Sequence, residues 1–177
     1  MNMKKISAII CFIIVSMTVL AQEPANNLGK RWTEVQKHFP DAVNTGPVKG
    51  EDGDLWMCFD EDEFQTYVYY FNVRDGKVFS ESMMVDPTGK IENAGYFFFI
   101  ISIQNYYNRG GWEECDVDAS ILGAANIFRK EHRLVWADSY EADFDFSDFW
   151  VYFQYNQEKG YSMMTFYPRQ DEQYFEI

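Results

Sequence analysis

Two histidines, His38 and His132, and three cysteines, Cys11, Cys58 and Cys115, are the whole supply of imidazole and thiol in 177 residues. A nucleophilic triad needs a serine or cysteine beside a histidine base, and no Gly-x-Ser-x-Gly elbow occurs. His38 follows Lys37 at the end of a helical stretch, where an imidazole complements the helix dipole. His132 stands between Glu131 and Arg133 at the start of an extended run. The histidines and cysteines lack the spacing of a zinc site, and there is neither a phosphate-binding loop nor a Gly-x-Gly-x-x-Gly turn. The expected catalytic, cofactor and metal residues are none, and the chain reads as a non-enzyme.

Carboxylates are plentiful instead. Glu51-Asp52-Gly53-Asp54, Asp60-Glu61-Asp62-Glu63 and Asp143-x-Asp145-x-x-Asp148 could each offer oxygen ligands to calcium. None follows the EF-hand loop: counting from Asp143, the glycine position holds Asp148 and the bidentate glutamate position holds Gln154. The alternative is a solvated acidic face. A carboxylate pair for glycoside hydrolysis is spatial rather than sequential, and 28 acids produce coincidental pairs. A carboxylate hydrolase is the third-ranked expectation.

Aromatic residues make up 19% of the chain. In Thr66–Val73 (TYVYYFNV), Tyr67, Tyr69 and Phe71 share one strand face and Val68 and Tyr70 the other. One face must be core. The other, left in water, would be an amphipathic patch that binds a protein or stacks on sugars. Tyr67, Tyr69 and Phe71 are the candidate binding surface. Its alternative has helices over one face and tyrosine hydroxyls in solvent on the other.

Residues 1–21 read as a signal peptide. Lys4 and Lys5 precede an apolar run from Ile6 to Leu20, and Val19-Leu20-Ala21 suits cleavage before Gln22. The run of about 15 residues falls short of the ~20 that span a bilayer. Cys11 lacks a lipobox, and no other stretch could span a membrane. Cleavage removes two lysines, leaving 13 cations against 28 acids and a mature net charge of −15. Cys58 and Cys115 then remain as an even pair. In an oxidising compartment they form either a disulfide, contributing on the order of 4 kcal/mol by loop closure, or two buried thiols.

Residues 22–177 read as one α+β domain. Leu28, Trp32, Val35 and Phe39 recur on one helical face, which Pro40 ends. Asp41–Asp54 reads as a loop and Leu55–Asp60 as a strand. Thr66–Val73, Asp75-Gly76 and Val78–Val85 form a hairpin. Ile91–Asn108 reads by its length as a helix ended by Gly110-Gly111, with a buried strand over its apolar centre Tyr96–Ile101 as the alternative, and Asp118 caps another helix through Phe128. His132–Ala137, Phe149–Asn156 and Tyr161–Tyr167 read as strands, and the polar stretch from Pro168 as a tail.

The hairpin segments 67–85 and 149–168 each carry Ser-Met-Met in the return strand, which hints at two helix-then-strands halves, 28–86 and 87–168. The expected architecture is a mostly antiparallel sheet with helices packed on one face.

Leu28-Gly29-Lys30-Arg31-Trp32-Thr33-Glu34-Val35 with Phe39-Pro40 resembles the opening of two kinds of small exported α+β envelope domain. These are the outer-membrane assembly lipoproteins (the SmpA/OmlA kind) and the β-lactamase-inhibitor-like proteins. Gly29, Val35, Phe39 and Pro40 fit the repeated helix–strand unit, and Trp56 falls on the strand after it. Arg31 stands where the usual hydroxyl residue would be. The resemblance implies a protein-binding scaffold without catalytic residues.

The full chain carries a net charge of −13. A phosphate backbone repels such a surface, so no nucleic acid is expected. The aromatic and apolar content excludes a disordered chain. The sequence therefore points to an exported protein, periplasmic or secreted, that binds a protein partner of basic charge without cofactor. The inhibitor, immunity or envelope-assembly type fits, with a glycan-binding module as the alternative.

Overall fold

The hairpin around Asp75-Gly76 is the seed of the fold. Asp75 and Gly76 both take positive φ, 49° and 72°, which matches the right-handed twist of the two strands they join. In the computed structural model, which describes residues 27–47, 52–61, 65–87 and 93–169, those strands are β3 (Gln65–Arg74) and β4 (Lys77–Pro87). The others are β1 (Val43–Pro47), β2 (Asp54–Glu61), β5 (Glu114–Val117), β6 (Glu141–Asp145), β7 (Phe149–Tyr155) and β8 (Ser162–Pro168). The helices are α1 (Trp32–Val35), α2 (Ala94–Arg109) and α3 (Ala119–Glu131).

All eight strands form one sheet in the order β1-β2-β3-β4-β8-β7-β6-β5, and every pairing is antiparallel. Each half runs helix first and then a four-strand meander; the second half inserts α3 between β5 and β6. The halves meet where β4 pairs β8, with Met83 directly opposite Met164. The expected α+β class with helices over an antiparallel sheet is what the chain adopts.

The registers do not align the two Ser-Met-Met elements. Ser82 lies opposite Thr165, while Ser162 lies opposite Val85 and Tyr155 on the other face. A one-residue offset flips a strand residue across the sheet. The residues that correspond across the junction are Met83 and Met164.

One face is covered. Tyr96, Phe98, Phe99, Ile100, Ile103 and Tyr106 of α2 and Ile121, Ala124 and Ala125 of α3 pack there against Phe144, Val151, Phe153, Met164 and Phe166. A second core lies under α1, where Trp32 and Val35 meet Cys58, Phe71, Val73 and Val78. Leu28 and Tyr69 touch both cores. Burying this many large side chains on one side holds the helices to the sheet.

Several expectations change. The helix over Leu28–Phe39 contracts to a single turn, because the chain before it is pinned to the hairpin. Gly29 N–H donates to Val78 O at 2.8 Å, Val78 N–H to Lys30 O at 3.0 Å and Trp32 N–H to Gly76 O at 2.8 Å. His132–Ala137 is not a strand. His132 ends α3 in the left-handed conformation, its N–H donating to Phe128 O at 2.8 Å. The following residues bond to the Tyr96 hydroxyl, which donates to Val135 O at 3.0 Å and accepts from Ala137 N–H at 2.7 Å.

Strand β1 arises where the sequence reads as loop, and β5 and β6 arise in segments to which the sequence reading assigns no element. β1 is an edge strand with a bulge at Gly46 and a terminal Pro47, positions that tolerate turn residues. In β6 the signal was present as alternation: Ala142 and Phe144 are buried while Glu141, Asp143 and Asp145 face away. Residues 1–21, expected to be a signal peptide, and most of the expected tail, residues 170–177, lie outside the described residues.

Candidate functional site: the open face of the sheet

The expected binding surface lies on the covered face. Tyr67 is 4% exposed and Phe71 2%; Phe71 packs between Trp32 at 5.3 Å and Phe39 at 4.7 Å. Tyr69 is half-buried against Phe39 at 5.4 Å, and burial pushes its phenol up to about 12. These three residues are core, so the assignment of Tyr67, Tyr69 and Phe71 as a contact surface is corrected. The strand alternates as its sequence reads, and α1 and α2 cover the Tyr67–Phe71 side.

The opposite face carries no helix among the described residues. One row crosses all eight strands there: Val43, Met57, Tyr70, Ser82, Thr165, Tyr152, Asp143 and Asp116. The next row brings Phe59, Val68, Met84, Met163, Gln154 and Glu141 together. Phe59 and Val43 are each 63% exposed. The β1–β4 half of this face is therefore apolar and methionine-bearing, and the β5–β6 half is acidic.

Aromatic rings fill the middle. Trp150 stacks on Tyr167 with centroids 5.1 Å apart and planes 27° from parallel, and lies 6.1 Å from Tyr152. Their polar tips lie toward the carboxylates of the neighbouring strand, Trp150 near Asp143 and Tyr152 near Glu141. Gln154 Nε2 donates to Glu141 Oε1 at 3.3 Å. Partial burial raises the Asp143 carboxyl, Trp150 opposes that rise, and Asp116, Glu114 and Asp145 add to it. Burial and then Glu141 push the Tyr152 phenol up to about 12. Across β5 and β6, Asp116 faces Asp143 and Glu114 faces Asp145, an arrangement of like charges that weakens a strand pair. Arg169, just beyond β8, pairs with Glu113 and with Asp145 at 3.4 Å.

The remaining candidates are separate. Cys58 and Cys115 are free thiols. They sit on β2 and β5, six strand spacings or about 29 Å apart along the sheet, whereas a disulfide needs Cα atoms within about 7 Å. The expected bridge is thus corrected. Burial first and neighbouring carboxylates second raise both thiols, the opposite of an activated nucleophile. Among the described residues no three histidine, cysteine or acidic side chains converge as metal ligands; Glu51, Asp62 and Glu63 fall outside them. Asp54 accepts from Asn44 Nδ2 at 3.2 Å, and Asp148 accepts from Ser147 Oγ at 2.6 Å. No helix among the described residues is long and apolar enough to cross a membrane.

Sequence reasoning missed Trp150, Tyr152 and Tyr167 as surface residues. Their alternation with Val151, Phe153 and Phe166 was visible, but which parity faced the helices was not. No family model, curated protein or solved structure matches this chain.

Proposed function

We propose that this chain is an exported, non-catalytic protein-binding module of the inhibitor, immunity or envelope-assembly type, and that it binds through the open face of its sheet. The observation that carries the reading is the asymmetry of the sheet. Three helices cover one side, and the other presents Met57, Phe59, Tyr70 and Met84 on its first strands and Trp150, Tyr152 and Tyr167 on its last, with Ser82 and Thr165 between them. A contiguous apolar and aromatic patch rimmed by charge marks interaction sites on soluble proteins. The repeated helix-and-meander unit supports the likeness to small envelope domains. Charge directs the choice of partner: a chain with 28 acids against 15 cations steers toward a basic surface.

The test is affinity capture of the tagged protein from crosslinked envelope extract, run beside a Trp150→Ala/Tyr152→Ala variant. The expected result is one protein recovered near stoichiometry by the wild type and lost by the variant, with both chains melting alike. Equal recovery by the two would overturn the open face as the contact surface. The stacked Trp150–Tyr167 pair favours a second reading, a sugar-stacking platform. A glycan panel decides it: saturable sugar binding that protects tryptophan from acrylamide belongs to that reading alone.

A further inference from the structure

We propose that the strip where Trp150, Tyr152 and Tyr167 meet the β6 carboxylates is the seat for an arginine side chain of a basic protein partner. The inference rests on the open face being a protein-binding surface, and it names the chemistry that surface selects.

A guanidinium is planar, stacks on aromatic rings and offers five N–H donors in a fixed fork to carboxylates. The strip supplies both halves of that recognition. The Trp150–Tyr167 stack gives a ring surface. Asp145 lies directly opposite Trp150, Asp143 opposite the adjoining Tyr152, and Glu141 farther along β6 opposite Gln154, whose amide donates to it at 3.3 Å. A carboxylate accepts several hydrogen bonds, and Glu141 takes one here from Gln154, so lone pairs remain for an incoming donor.

Charge gives the second line of argument. The open-face positions of β5, β6, β7 and β8 include five carboxylates and no lysine or arginine. Of the two like-charge pairs that cross β5 and β6, the one at Glu114 and Asp145 already has a guanidinium, Arg169, bonded to Asp145 and to neighbouring Glu113. The pair at Asp116 and Asp143 has no cation in ion-pair contact among the described residues. The chain's own arginine shows how one pair is neutralised; a partner's arginine completes the other while lying on the aromatic stack.

The experiment follows the indole N–H signals of the 15N-labelled protein during titration with acetyl-Gly-Arg-Gly-amide, its lysine analogue and its citrulline analogue. Citrulline keeps the shape and removes the charge. The expected result is a saturable shift of the Trp150 signal with the arginine peptide. The lysine peptide should bind several-fold more weakly and the citrulline peptide should produce no saturable shift. Asp143→Asn, and separately the exposed Asp116→Asn, should each weaken the arginine peptide by about tenfold while the other indole signals stay in place. Equal shifts from arginine and citrulline, or arginine shifts that neither variant reduces, would overturn the seat. Loss of the captured partner on Trp150→Ala/Tyr152→Ala alongside a failed arginine titration overturns the seat and leaves the open face standing. A seat that titrates as expected, with capture unchanged by the same variant, overturns the open face as the partner's contact.

Discussion

Glu81 is the residue whose environment departs furthest from what its type prefers. It sits on the central strand β4, 4% exposed, directly opposite Phe71 on one side and Phe166 on the other. Burial pushes its carboxyl up to about 7 from an ordinary 4.5, with Asn27 and Lys30 pulling partly back. A raised carboxyl favours the protonated folded state. Its contribution is complete below the unfolded pKa near 4.5, declines as pH rises to about 7, and leaves a constant penalty above that, on the order of 3 kcal/mol. Glu81→Gln should therefore raise the melting temperature more at pH 8 than at pH 4.5; an equal rise at both would refute the assignment. Tyr96 is the converse, a buried hydroxyl with both roles filled by Val135 and Ala137. Tyr96→Phe should lower stability in urea by about 1–3 kcal/mol, because it strands a carbonyl and an amide in the core. At Cys58 and Cys115, alkylation under non-reducing denaturing conditions should label both thiols, and a chain carrying one intramolecular bridge would label neither.

At the scale of elements, the seating of α2 depends on glycine. A Cβ at Gly95 would collide with the backbone carbonyl of Gly160 in the β7–β8 turn, so the first turn of the helix lies directly on that turn. Gly123, inside α3, has open space where its Cβ would go and no positive φ. The two positions should respond with opposite sign. Gly95→Ala forces helix and turn apart and should cost about 1–3 kcal/mol, while Gly123→Ala should add about 0.5–1 kcal/mol through helix propensity. Chemical denaturation of the two variants measures both, and a shared sign would show the α2 contact to be looser than the structure has it. Element boundaries were legible wherever local chemistry set them: Asp75-Gly76 for the hairpin, Asp118 capping α3 through Ser120 N–H at 2.7 Å, and Gly110 ending α2. They were illegible where distant contacts set them. Hydrogen bonds to Gly76 and Val78 shorten α1 to one turn, and the Tyr96 hydroxyl holds residues 135–137 out of any strand.

For the whole molecule, the separation of a covered and an open face predicts two classes of variant. Phe71→Ala, on the covered face, should lose about 3–5 kcal/mol of stability. Trp150→Ala or Tyr152→Ala, on the open face, should leave the melting temperature nearly unchanged and lower partner affinity instead. A Trp150→Ala chain as unstable as Phe71→Ala would mean that the open face is structural. The sequence alone determined the class of fold, the central hairpin and the net acidity, because each follows from local pattern or composition. It also contained the alternation of every main strand, with Val68 and Tyr70 opposed to Tyr67 and Phe71. It could not say which parity is core, since both faces of β3 are rich enough in apolar atoms to be buried. Only the tertiary structure decided that, by placing α1 and α2 against the Tyr67–Phe71 side. The same packing separated Cys58 from Cys115 by six strand spacings. It also brought Trp150, Tyr152 and Tyr167 beside Asp143, because pairings between strands far apart in the chain are fixed by the sheet as a whole and by no local signal.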